Sequence, residues 1–87
     1  MELQVRYFAG AAAAAGIDEE LVEVDDGATA AQLVTALAQR HPRLVPVLEV
    51  ASLLADEVAV RDRGAVLAAP AGGQRLQVDV LPPFAGG

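Results

Sequence analysis

At 87 residues the chain has room for one small domain, which buries only about 60 to 65% of its unfolded surface. Twelve acidic residues against six arginines leave a net charge of −6, which opposes binding to nucleic acid or to an anionic membrane and suits a partner with a basic surface. There is no cysteine and only one histidine, which excludes disulfides, a thiolate nucleophile, a sulfur metal site and a histidine cluster, so no metal site is expected.

Hydrophobic residues make up 54% of the chain and mean hydropathy is +0.39. The longest uncharged apolar stretch, Tyr7 to Ile17, is still only about half of the roughly 20 residues a membrane span needs. Charged and polar residues (Glu2, Gln4, Arg6) punctuate the start, so no signal peptide is expected and the cytoplasm is the expected compartment. The single serine, Ser52, has no base beside it in sequence, and catalysis by this chain alone is not expected. There is no lysine, so chains of this protein linked through lysine cannot form.

The first element read from the sequence is a strand, "ELQVRYF", which places Leu3, Val5 and Tyr7 on one face and Gln4, Arg6 and Phe8 on the other. The alanine run that follows favours helix, but Gly10 and Gly16 bracket it to about one and a half turns, and the reading is a connecting turn. "EELVEV" is a second short strand with Val22 and Val24 on one face, closed by "DDG". The two strands suggest an N-terminal hairpin.

"TAAQLVTALAQRHP" is the clearest helix. Thr29 followed three residues later by Gln32 is a capping-box pattern. Ala30, Leu33, Val34 and Leu37 form its apolar stripe, which Leu44 would extend, and Pro42 ends it just after a helix-end His41. "PVLEVASLL" reads as a short second helix or a turn. "DEVAVRDRGAVLAAP" reads as two short strands around a bend at "RDRG". "AGGQR" then turns into a last strand, in which Leu76, Val78 and Val80 alternate with Gln77 and Asp79.

Strand, strand, helix, strand, strand, strand is the order of an α+β domain of the β-grasp type, with a mixed sheet of about five strands and one main helix across one face. Leu33 and Leu37 would form the helical half of the core against Leu3 or Val5, Val22, Val24, Val78 and Val80. The domain is expected to span residues 1–81, with residues 82–87 as an extended tail.

That tail, "PPFAGG", carries the functional signal. Pro82 and Pro83 lack the amide hydrogens that a sheet ladder needs, so they end strand pairing and stiffen the exit. Phe84, Ala85, Gly86 and Gly87 then reach roughly 13 to 14 Å, enough to bring the terminal carboxylate into a neighbouring pocket. Glycine's missing Cβ lets such a segment thread a narrow channel. A frayed end is the plain alternative, yet with glycine at about 7% of residues, two in the last two positions arise by chance at roughly half a per cent. Leu81 alternates out of phase with the core positions and is expected to point away from the helix. It is either a solitary exposed leucine or minor core contact, or part of an apolar docking patch with Phe84 and Phe8.

Together, "VRYFA" at the end of the first strand, the capped helix after "DDGAT" and the terminal "LPPFAGG" resemble the family of the molybdopterin synthase small subunit, ubiquitin-like sulfur carriers. The resemblance covers essentially the whole chain, and the prolines ahead of the final glycines are its specific part. It implies that an adenylyltransferase of the ubiquitin-activating type, using ATP and magnesium that this chain does not itself hold, adenylates the Gly87 carboxylate. A sulfur donor then displaces AMP to leave a thiocarboxylate. The tail would enter the large subunit of molybdopterin synthase, in a heterotetramer, and give its sulfur to cyclic pyranopterin monophosphate. The patch of Leu81, Phe84 and Phe8 would dock the large subunit and the activating enzyme in turn. The chain departs from the family where an Arg-Glu pair often follows the first Phe-Ala, at Arg61 where an Asn is common, and at "GGQR" in place of Gly-Asp. All three bear on the partner surface and none on the tail. A carrier for thiamine, cysteine or transfer-RNA thiolation, a protein-conjugating modifier and a binding-only module are the alternatives.

Overall fold

The computed structural model describes residues 1–83. Five strands, β1 (Glu2–Tyr7), β2 (Glu19–Glu23), β3 (Ser52–Ala55), β4 (Val58–Ala59) and β5 (Leu76–Leu81), form one sheet in the order β2-β1-β5-β3-β4. Three helices, α1 (Gly10–Ala15), α2 (Ala30–Arg40) and α3 (Val45–Val50), interrupt them. Strands β1 and β5 run parallel at the centre and every other pair is antiparallel. This is the mixed-sheet β-grasp architecture. Among the described residues no helix is long and apolar enough to cross a membrane.

Alternation decides which face of the sheet is covered. Leu3, Val5 and Tyr7 of β1, Val22 of β2, Leu53 of β3 and Leu76, Val78 and Val80 of β5 are all buried, and Leu33 and Leu37 of α2 close over them. Every residue expected in the core is there, except that Val24 is only partly buried at the rim. Leu44, Leu48, Leu67 and Ala11 complete it.

Helix α2 begins where the capping-box pattern places it. The Thr29 hydroxyl accepts from the Gln32 amide at 3.1 Å, and the Gln32 side chain accepts from the Thr29 amide at 2.8 Å. These reciprocal bonds occupy amides that a helix start leaves without partners. Pro42 follows the C-cap His41 and opens a single 3-10 turn into α3, whose C-terminal carbonyls of Leu48 and Ala51 accept from Arg63. The segment left open as helix or turn is therefore a helix that runs straight into β3.

Two expectations are corrected. The alanine run is a helix and not a connecting turn: Ala11 is fully buried and Gly16, at φ 79°, donates its amide to the Ala12 carbonyl as the helix cap. Gly16 thus marks the helix's end, and alanine's small side chain lets α1 lie close against the Pro42–Leu44 turn and α3.

The strand pair after the helix also lies earlier than expected. Strand β3 starts at Ser52 and turns back through Asp56 and Glu57, leaving only two residues for β4. The bend at "RDRG" is present, with Asp62 accepting from the Gly64 amide, but the expected strand beyond it is a single bridge between Val66 and Thr29. The carbonyls of Arg63 and Ala65 accept instead from the amides of Ala31 and Ala30. That loop caps α2 and so has no ladder to offer.

Candidate functional site

The tail leaves from β5, the central strand. Because Leu76, Val78 and Val80 face the helices, Gln77, Asp79 and Leu81 are left on the sheet's open face. Leu81 thus points away from the core, as its phase predicts, and is half-buried opposite Ser52 of β3. Pro82 beyond it is half-buried and Pro83 exposed. Phe84, Ala85, Gly86 and Gly87 lie outside the described residues.

Phe8 stands on the same open face. It is the residue after β1, its amide donates to the Val80 carbonyl, and the register that sets Tyr7 against Val80 brings Phe8 alongside Leu81. Its side chain is exposed enough, at 37%, to meet a partner. The structure therefore brings together two of the three residues expected in a docking patch, at the root of the tail. Leu54 of β3, half-buried, lies on the same face one row along, opposite Asp79.

Between these apolar residues sits an ion pair that periodicity alone did not single out. Arg6 pairs directly with Asp79 across β1 and β5. Its Nε donates to Oδ1 at 2.9 Å and its Nη2 to Oδ2 at 3.0 Å, and Asp79 is only 5% exposed. The Asp79 carboxylate holds the guanidinium above its ordinary pKa. The Arg6 Cζ also lies 5.4 Å from the centre of the Phe8 ring, within cation–π range. The alternation places Arg6 and Phe8 on one face of the first strand; nothing in the sequence sets Asp79 beside them.

A second polar cluster closes the core side of the sheet. Glu20 accepts from the Tyr7 hydroxyl, meets the His41 Nε2 and pairs with Arg40 at 2.8 Å. Burial works to raise the Glu20 pKa, but the bonds from Tyr7 and His41 and the charges of His41 and Arg40 outweigh it, and the carboxyl sits below its usual range. Burial, then the bond to Glu20, pushes the Tyr7 phenol well up. His41 is thus the helix-end residue that its position before Pro42 predicts, with its ring set edge-on to Tyr7. Ser52 lies on the opposite face of the sheet, so the two do not form a nucleophile and base.

The site is therefore a patch of Phe8, Leu81 and Leu54 around the Arg6–Asp79 clasp, with Glu19 across from Arg6 on β2 and Pro82 leaving from its edge. The ThiS family matches residues 5–87, from β1 through the final glycine. The chain belongs to the ThiS family. It is a ubiquitin-like sulfur carrier of that family. It is 30% identical over 89 residues to the molybdopterin synthase sulfur carrier subunit of Chlamydomonas reinhardtii, with 100% of each chain covered. Among solved structures it is similar to SAMP1 from Haloferax volcanii, at 26% identity with a TM-score of 0.82, covering 100% of both chains. In the complex of subunits 1 and 2 of molybdopterin-converting factor from Helicobacter pylori, one chain shares the fold over 100% of both lengths at 20% identity and a TM-score of 0.64.

Proposed function

We propose that this family member is the sulfur-donating subunit of a molybdopterin synthase, with the Gly87 carboxylate as its reactive group. The observation that carries the reading is the placement of the tail's root: "PPFAGG" leaves the central strand beside Phe8 and Leu81. A partner that docks on the open face thereby meets the strand end from which the C-terminal residues continue. The full-length match to a sulfur carrier subunit supports the choice of pathway.

The chemistry starts from a carboxylate that is a poor electrophile. An adenylyltransferase partner, supplying ATP and magnesium, converts it to an acyl adenylate with release of pyrophosphate. Attack by a sulfur donor expels AMP and leaves a thiocarboxylate on Gly87. Its anionic sulfur is the nucleophile delivered to the pterin precursor inside the large subunit. This chain contributes the reacting terminus, the glycines that let it thread a narrow channel and the surface that positions it. Phe8, Leu81 and Phe84 are the docking side chains, used in turn for the activating enzyme and the large subunit.

The test is intact mass spectrometry after incubation with ATP, magnesium, a sulfide source and the activating enzyme. Exchange of one oxygen for sulfur at the C-terminus is the expected product, and an unchanged mass counts against the carrier chemistry. A second reading, conjugation to other proteins, is favoured by the similarity to SAMP1, a small archaeal modifier protein. It is distinguished by a ladder of heavier species in cell extract, which the synthase reading does not produce.

A further inference from the structure

We infer that Asp79 is a positioning residue of the docking face, acting through Arg6 to hold the Phe8 ring in the orientation a partner meets. The inference rests on the reading of that face as the docking surface and assigns the device that organises it.

Three independent features converge on Phe8. The first is the clasp. Both Asp79 oxygens are engaged by Nε and Nη2 of the same guanidinium, which fixes the plane of the group, and its Cζ stands 5.4 Å from the Phe8 ring centre. Lysine in place of Arg6 would offer a point charge with no such plane. The second is the backbone. The Phe8 amide donates to Val80 at 3.2 Å and its carbonyl accepts from Ala11 at 2.9 Å, so its backbone is held on both sides of the Cα that carries the ring. The third is Ala9, which follows at φ 50° and ψ −123°, a conformation that disfavours a residue with a Cβ.

Stability alone does not account for this arrangement. An ion pair with its carboxylate buried is often matched or bettered by apolar side chains of similar volume, and here Asp79 is buried while Arg6 is partly exposed, with Leu54 and Leu81 as neighbours on the sheet. A strained alanine next to the ring likewise opposes folding. What both features do is restrict an exposed aromatic before any partner arrives, and a preorganised anchor loses less freedom on binding. The clasp also sets Asp79 against the Arg6 charge on the β5 side, while Glu19 lies opposite Arg6 on β2.

The test compares the native chain with Asp79→Asn and with the double variant Arg6→Gln/Asp79→Asn, which replaces the ion pair by two neutral amides and keeps a folded sample available if the single variant is unstable. Phe8 is one of only two phenylalanines, so its ring order is measurable by aromatic carbon relaxation in the free protein. Dissociation is measured from the molybdopterin synthase large subunit of the same organism. The expected result in both variants is a more mobile Phe8 ring and dissociation several-fold faster, with the thermal midpoint of the double variant close to native. Unchanged ring order overturns the inference, as does a loosened ring with unchanged dissociation. Leu81→Asp is the control for the underlying reading: if it binds like the native chain, the docking surface itself is misplaced and the inference falls with it. Lost binding in Leu81→Asp with native behaviour in both clasp variants removes the clasp alone.

Discussion

Asp56 and Glu57 turn β3 into β4 with φ angles of 46° and 69°, the left-handed values of a two-residue hairpin turn that usually selects asparagine and glycine. Asp56 compensates: its amide donates to the Gln77 carbonyl and its carboxylate accepts from the Gln77 amide, tying the turn to β5. Glu57 is exposed and makes no comparable bond among the described residues. Glu57→Gly is therefore expected to stabilise the fold by about 1 kcal/mol, read as a higher urea midpoint with an unchanged slope. At the other end of the molecule, Gly87 stands six residues beyond the last strand. Its deletion is expected to abolish sulfur transfer in a reconstituted synthase assay while moving stability by no more than about 0.5 kcal/mol. Full transfer by the truncated chain would remove the terminus from the mechanism.

Among the elements, α2 depends on its ends as much as on its stripe. Thr29→Ala removes the acceptor for the Gln32 amide and should cost about 1 kcal/mol, measurable by thermal melting. Its C-terminal end is held by the Glu20 cluster, which joins β2 to Arg40 and His41. The Glu20 pKa is lower in the fold than in the unfolded chain. Its contribution to stability is thus present above the unfolded carboxyl range, about pH 4 to 5, and is lost as pH falls through the lower folded value. Glu20→Gln is expected to flatten the acid limb of a stability profile below about pH 5, and an unchanged limb would show that other carboxyls govern it. Tyr7 has the opposite sense. With its phenol pushed up, its contribution is full in neutral solution and fades as pH climbs past about 10.

For the molecule as a whole, charge is unevenly placed. Asp18, Glu19, Glu23, Asp25 and Asp26 cluster on and around the edge strand β2, and such charges oppose the addition of another strand at that edge. A net charge of −6 on a domain of this size should steer it toward basic surfaces. Added salt screens such attraction over roughly 8 to 10 Å and leaves apolar contact untouched. Association with the large subunit is therefore expected to slow several-fold across a salt series while dissociation stays nearly constant. Stopped-flow kinetics decides this, and an association rate flat in salt would leave recognition to the docking face and the tail alone.

The sequence by itself determined the parts that local chemistry controls. The two-residue alternation in "ELQVRYF" and in Leu76 to Val80 assigned each strand's buried face, Thr29 and Gln32 marked the helix start, and Pro82 and Pro83 marked the end of the last strand. Each of these signals lies within a few residues, where sterics and backbone hydrogen bonding act without help from the rest of the fold. Tertiary structure decided the rest. The β3–β4 hairpin lacks a turn glycine, so nothing local announced Asp56 and Glu57, and the loop beyond "RDRG" became a cap because α2 needed acceptors for its first amides. The alanine run became α1 because a surface was present for Ala11 to bury against. Most of all, the pairing of Arg6 with Asp79, 73 residues apart, required β1 and β5 to lie parallel at the centre of the sheet. A long-range pairing of that kind is set by the packing of the whole core, and no window of sequence contains it.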